Sequence, residues 1–464
     1  MKSERMKIED PRTWGLDVNE KAELMVGACS AVDLARTYGT PLHVLNEARL
    51  EQTARDFQES VETAYPGKSS VHYAFKCNSV PAVVEVIRRA GLKAEVMTEF
   101  ELELALRLGY KGEEIIVNGP CKTPAFLRTC LQAKARLIVV DSLDELRDLA
   151  AAATSLQNDV DILLRVNPDY VPRGMNRGSA TGSRKGCAFG FDLKGGEVEA
   201  ALRFLPRTLR LRFQGFHLHL GTGIRHPLDY SRALRCIPLL VDEARSGGFD
   251  VRILDVGGGF ASMTTRELTS IEMLAYEGFG RLPSAAPSSK AATVLDFAGE
   301  IAGVVTQSFR SDELPELIYE PGRCIVSSNQ LLLLTIHRIK ERRGIGKWLV
   351  TDGGLGTVTL PTYYEYHEVF LCNDVDRPRV EKVTIIGPAC FAGDVVYRNK
   401  FMPRVQVGEV LAVMDSGAYF TALESSFGFP RSAIVAVDGT AHRIVRHRET
   451  FDEMSQRDSF GGSS

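Results

Sequence analysis

Several side chains in this sequence stand where reactive chemistry needs them. YAFKCN carries a lysine amine (Lys76), and HLHLGT carries two histidines (His217 and His219) and a hydroxyl (Thr222). VGGGF supplies a bare glycine turn (Gly257, Gly258 and Gly259), and EPGR an acid and an arginine (Glu320 and Arg323). A lysine amine can bond a carbonyl carbon. A glycine turn brings backbone N–H groups close to a phosphate because no Cβ holds it away. An arginine fork adds a bidentate partner to the same phosphate. A carboxylate can keep a proton on a neighbouring ring nitrogen. Each residue alone has an ordinary reading: a solvated lysine, a tight turn, a core histidine. His217 and His219 alternate along one strand, so one is expected to face inward and the other to be a satisfied core histidine. Only their convergence on one place would make a site.

That convergence depends on the elements that carry them. From about residue 70, short apolar runs alternate with longer helical patterns: VHYAFK, KAEVMT, EEIIVNG, RLIVVDS, VDILLRVNP, LRFQGFHLHL, VRILDVGGG and ELIYEPG. Each run is apolar enough to be buried on both faces. Repeated β-then-α units build a parallel sheet, and eight of them close a (β/α)8 barrel, although an open doubly wound sheet accommodates the same alternation. In such a barrel, functional groups lie at the C-terminal ends of the strands, and the residues above fall there. Past residue 323 the pattern becomes short and β-rich (KWLVTD, KVTIIG, GEVLAVMD, SAIVAVD, AHRIVRH), as in an antiparallel domain. The expected organisation is an N-terminal segment at 1–40 packing on the β domain, a barrel at 41–312, and a β-rich domain at 313–464 with a flexible tail. Residues 281–291 read as an exposed loop insertion.

One cofactor needs all of these parts together. Pyridoxal 5′-phosphate (PLP) takes a lysine on its aldehyde carbon, an acid beside its ring nitrogen, a phosphate cradle and a flat ring against its face. The chain resembles the fold-type III PLP decarboxylases, the family of diaminopimelate, ornithine and arginine decarboxylases. YAFKCN, HLHLGT, VGGGF, EPGR, GPACFAGD and GAY carry the resemblance in order, followed by RHRETFDEM, from about residue 40 to 450. The resemblance implies that Lys76 bonds the cofactor, that His219 stacks on its ring and that Glu320 pairs with its nitrogen. Gly257, Gly258, Gly259, Arg323 and Tyr419 would hold the phosphate, with Thr222 where the family commonly has serine. It further implies a homodimer with shared active sites, into which Cys390 and Asp394 enter from the partner subunit. Cys390 would return a proton to Cα after CO₂ leaves.

The distal pocket departs from the family. Phe391 follows Cys390 where diaminopimelate decarboxylases have glutamate and ornithine decarboxylases aspartate. Leu360, before PTYY, replaces the arginine that binds a distal carboxylate. Ala188 stands for a basic residue, and Phe427-Gly428 for the usual Tyr-Asn after GAY. A buried charged partner contributes much of the discrimination for a charged substrate end, and phenylalanine removes it. The expected substrate is therefore a modified or specialised amino acid, with or without a conjugate or carrier. Ordinary diaminopimelate, ornithine or lysine is the alternative, if Arg184, Lys185, Tyr364 or Glu365 supply the missing contacts. An amino-acid racemase and a catalytically silent PLP-binding regulator are further alternatives. Glu320 argues against the racemase, and the presence of both Lys76 and Cys390 against the silent binder.

The bulk properties narrow the rest. With 464 residues, 44% hydrophobic and 25% charged, the chain has the makings of a two-domain globular protein. A net charge of −3 offers no field for nucleic acid or anionic membrane. Nine cysteines without a CxxC pair suggest neither a zinc site nor a disulfide framework, and no metal is expected. No signal-like or membrane-spanning run is apparent, so a cytoplasmic location is expected.

Overall fold

The computed structural model describes residues 9–175, 179–207, 210–283, 291–359 and 365–459. Leu360, Tyr364 and most of the expected 281–291 insertion lie outside them, as does the end of the tail. The chain forms two compact units, one of Glu51–Ser262 and Lys290–Ile325, the other of Met1–Leu50, Met263–Ser289 and Val326–Ser464. These limits differ from the expected 41–312 and 313–464. The reason is that the barrel's last strand begins at Glu316, beyond 312, while a strand at Leu42–Asn46 belongs to the β-rich sheet.

The first unit is a closed parallel barrel. Its strands are Ser69–Ala74, Lys93–Val96, Ile115–Val117, Leu137–Val140, Val160–Asn167, Leu211–Leu218, Ile253–Asp255 and Glu316–Tyr319. Each pairs in parallel with the next, and the last pairs with the first, so no edge remains. Ile116, Leu137, Val139, Leu163, Ile253 and Ile318 form one buried cluster within it. The intervening helices start where the sequence signals them. Thr98, Thr123 and Ser142 each accept an N–H of the first turn, with Pro124 at the first helical position of Pro124–Gln132.

The second unit is β-rich and mostly antiparallel. Its sheet runs Val395–Pro403, Arg379–Ile386, Gly346–Thr351, Gln330–Arg342, Leu42–Asn46, Ala433–Asp438, Ala441–Arg446. Two pairings are parallel: Gly346–Thr351 with Arg379–Ile386, and Leu42–Asn46 with Ala433–Asp438. Partners far apart in the chain need no hairpin, so direction is free there. The apolar run from Leu331 to Leu334 is explained by the two faces of its strand. Leu331 and Leu333 enter one core with Trp14, Leu24 and Phe370, while Leu332 and Leu334 enter another with Val369, Tyr397 and Phe420. The N-terminal segment is tied into this unit by Trp14 and by the Leu24 amide, which donates to Cys372 O at 2.9 Å. All nine cysteines are free thiols. Among the described residues, no helix is long and apolar enough to cross a membrane.

Candidate active site

The barrel's strand ends gather most of the predicted residues on one rim. Lys76 lies just past the first strand, on the short helical turn Phe75–Cys77, not within the strand itself. Its Nζ donates to Glu95 Oε2 at 2.6 Å. Glu95 is buried near the end of the second strand, and burial lifts its carboxyl from about 4.5 to about 7 although Lys76 pulls it down. The folded state therefore holds this proton more tightly than the unfolded chain does. We expect the cofactor-free protein to lose stability as pH rises from about 4.5 through about 7, relative to Glu95→Gln, and to change little from this group above that. Thermal midpoints of both proteins across pH check this; parallel curves would show that Glu95 does not titrate there.

Both histidines turn to the same side. Their rings lie 6.4 Å apart and 11° from parallel, because His219, just past the end of the strand Leu211–Leu218, continues the two-residue repeat that returns to the same face. The expectation that the pair would divide between faces is corrected by this. His217 is fully buried, with Nε2 3.3 Å from Glu320 Oε2. His219 Nδ1 accepts the Gly258 N–H at 3.1 Å, which fixes its ring and places any ring proton on Nε2. Burial, with Arg165 and Lys76 nearby, holds the His219 pKa well below the usual range, so the ring is neutral and suited to stacking. Asn118 closes the set by donating to Glu320 Oε1 at 3.2 Å. Burial pushes Glu320 up, but His217 and the Lys76 ammonium outweigh it and hold the carboxyl below its ordinary range. A buried carboxylate thus stays ionised at the base of the rim.

The glycine turn can only be glycine. A Cβ on Gly258 would sit 2.1 Å from Glu320 O, and one on Gly259 (φ +98°) 2.1 Å from Gly221 O. Tyr230 braces the turn from beneath, its hydroxyl donating to Gly258 O at 2.6 Å. Arg323 is buried beside it, with Nε 3.4 Å from Thr222 Oγ1. Amine, neutral flat ring, bare turn, arginine and buried acid are the donor set that PLP requires, and this rim fits it.

The remaining predicted residues belong to the β-rich unit. Tyr419 has φ +65° and follows a turn anchored at Asp415. Asp415 accepts Trp14 Nε1 at 2.7 Å and Ser327 Oγ at 3.3 Å, and also the Thr264 hydroxyl. Cys390 and Phe391 are exposed, and the Phe391 and Phe427 rings meet edge to face at 6.2 Å. Asp394 is buried, and its carboxylate accepts the Leu355 N–H at 2.6 Å and the Ala389 N–H at 2.7 Å. It anchors the Cys390 loop, whereas the sequence reading had it facing substrate: the backbone amides of a tight loop take both oxygens. Among the residues expected to replace the missing distal contacts, Glu365 is buried 3.3 Å from His367, and Arg184 pairs with Asp192 at 2.7 Å. Lys185 is exposed.

Sequence reasoning missed Glu95, Asn118, Asp255 and Asp415. The first three had a signal, since each is a polar residue at or near the end of a short barrel strand, where burial demands a partner.

Comparison with known proteins agrees with this geometry. Residues 47–327 match the family described as "Pyridoxal-dependent decarboxylase, pyridoxal binding domain". A diaminopimelate decarboxylase of Actinosynnema pretiosum subsp. auranticum is 33% identical over 452 residues, covering 96% of this chain and 95% of that protein. One from Archaeoglobus fulgidus is 28% identical over 94% of this chain and 96% of its own length. The crystal structure of diaminopimelate decarboxylase from M. jannaschii superposes with a TM-score of 0.85 at 25% identity, covering 96% and 98% of the two chains. Another structure of that enzyme is a complex with L-lysine. With its barrel, its rim and the matching span of residues all in agreement, this chain belongs to the pyridoxal-dependent decarboxylase family.

Proposed function

We propose that this PLP-dependent decarboxylase acts on an amino acid of the diaminopimelate type. The full-length similarity to diaminopimelate decarboxylases carries this reading. Those relatives lend no support to the modified substrate expected from the pocket residues, and diaminopimelate, its alternative, is the better supported. One observation favours a second reading. The exposed Phe391–Phe427 pair presents an apolar wall where the resemblance implies a carboxylate for a distal ammonium. Steady-state kinetics with meso-diaminopimelate, lysine, ornithine, arginine and N-acylated diamino acids separates the two. A kcat/KM of about 10⁴ M⁻¹s⁻¹ or more on diaminopimelate supports the first reading. CO₂ release confined to compounds without a distal charge would replace it with the second.

Bound at the barrel rim, PLP supplies the electron sink for the bond to the departing carboxylate. The chain's residues do the rest. Lys76 would hold the cofactor through its amine and yield that place to the substrate's amine. Glu320 would keep the ring nitrogen protonated, His219 would pack on the ring face, and the glycine turn with Arg323 and Thr222 would grip the phosphate. Cys390 returns a proton at Cα. Its exposure suits a residue offered to another subunit, and we place it in the site of the partner in a homodimer. Cys390→Ala should lower kcat by about 10²-fold and divert a fraction of turnovers into decarboxylation-dependent transamination. An unchanged rate and product would remove Cys390 from the mechanism. Mixing the Lys76→Ala and Cys390→Ala proteins should raise activity above that of either variant alone if sites are shared between subunits, and leave it at the sum of the two if they are not. Free thiols throughout support a cytoplasmic location.

A further inference from the structure

Beneath the rim lies a buried group that the reading above leaves unused. Asp255 ends the seventh strand, is completely buried, and lies two residues before the glycine turn. Its Oδ1 accepts the Gly257 N–H at 2.9 Å, and its Oδ2 is buried without a hydrogen-bond partner. Atoms of Asp255, Glu320 and His217 lie within 4.8 Å of one another. The turn also returns to Glu320 through the backbone, the Glu320 N–H donating to Gly257 O at 2.9 Å. Asp255 therefore touches the phosphate cradle with one oxygen while its carboxyl sits beside the acid assigned to the ring nitrogen.

Two carboxylates this close, both out of water, cannot both be ionised cheaply. Glu320 has the better claim to the charge. It accepts from Asn118 and faces His217, with the Lys76 ammonium near. Asp255 faces Glu320 and Glu95 and has one backbone N–H, and burial followed by the Glu320 charge pushes its own pKa well up. A neutral acid at Asp255 leaves one negative charge at the ring nitrogen. It also keeps the Gly257 amide satisfied.

We propose that Asp255 is a positioning residue, held as the neutral acid, that joins the Gly257 turn to the Glu320 end of the cofactor site. It sets the register between phosphate grip and ring-nitrogen partner and leaves the charge to Glu320. The inference rests on PLP occupying the rim and is independent of which amino acid is the substrate.

The test uses Asp255→Asn and Asp255→Val, with PLP binding to cofactor-stripped protein followed by absorbance. Asparagine reproduces the neutral acid, since it carries no charge and its Oδ1 still accepts from Gly257. Its dissociation constant for PLP should stay within about threefold of wild type. Valine leaves the Gly257 N–H without a partner and should weaken PLP by about tenfold or more. Equal weakening in both variants would mean that the ionised form is needed, and undiminished binding in Asp255→Val would mean that no positioning occurs; either overturns the proposal. Should Asp255→Val fail to fold, the pH titration of bound-cofactor absorbance decides. The Asp255→Asn and wild-type profiles should superimpose, with Glu320, Glu95, His217 and Lys76 the titratable neighbours common to both, and a displaced profile overturns the proposal.

Discussion

Lys76→Ala will cost this enzyme about 10⁴-fold in kcat, on the order of 5.4 kcal/mol of barrier, together with the cofactor band near the visible edge. Lys76 is set by the turn that ends the first barrel strand, its side chain partly open to the rim and its amine 2.6 Å from Glu95. The one side chain serves two purposes. It would hold the cofactor covalently, and its amine would also serve as a general acid–base group, a role worth about 10²–10⁴-fold by itself. Neither survives truncation to a methyl group. The absorbance spectrum and the turnover number of the purified variant are the measurements to make. Retained turnover with a retained band would overturn the assignment of this lysine. Glu95 should report the same contact from the other side, since it loses its ion-pair partner in Lys76→Ala.

Glu320→Gln should lower kcat by about 10²–10³-fold while leaving the barrel folded. The acid lies at the end of the eighth strand, with Asn118 and His217 directed at its oxygens and almost no access to water. Its pKa is held below the ordinary range, so it stays ionised through the neutral range, and that charge would stabilise a protonated ring nitrogen. Glutamine keeps the shape and the hydrogen-bonding reach but loses the charge. The loss should therefore appear in kcat far more than in the dissociation constant for PLP, where the phosphate grip of the glycine turn and Arg323 persists. Equal losses in both would assign Glu320 to cofactor retention. A wild-type kcat would show that the ring nitrogen does not depend on it.

These expectations start from residues already visible in the sequence. Strand-length apolar runs in alternation with helical patterns dictated a parallel sheet, because strands buried on both faces carry few polar residues, and their number pointed to a barrel. The C-terminal ends of those runs then located Lys76, His219, the glycine turn, Glu320 and Arg323, since barrel geometry leaves that edge free for function. Local chemistry within short motifs was enough for this. It was not enough for the residues that hold the site in tune. Glu95, Asn118 and Asp255 lie 19, 42 and 179 positions beyond Lys76, and nothing local says that they share its surroundings. Closure of the sheet brought Glu95 to the amine and Asn118 to Glu320, and placed Asp255 between cradle and acid.

The same division runs through the rest of the molecule. Sequence alone determined the reaction class and the cofactor, because a PLP site needs particular functional groups and these occur as contiguous motifs. Only the tertiary structure decided that Leu42–Asn46 joins the β-rich sheet and that Asp394 is taken up by the Leu355 and Ala389 amides. Each of these depends on which backbone or side chain arrives from a distant part of the chain. A carboxylate reads identically in sequence whether it meets a substrate or two buried N–H groups, and packing decides between them because a buried donor left unpaired costs more than the net gain of a solvated contact.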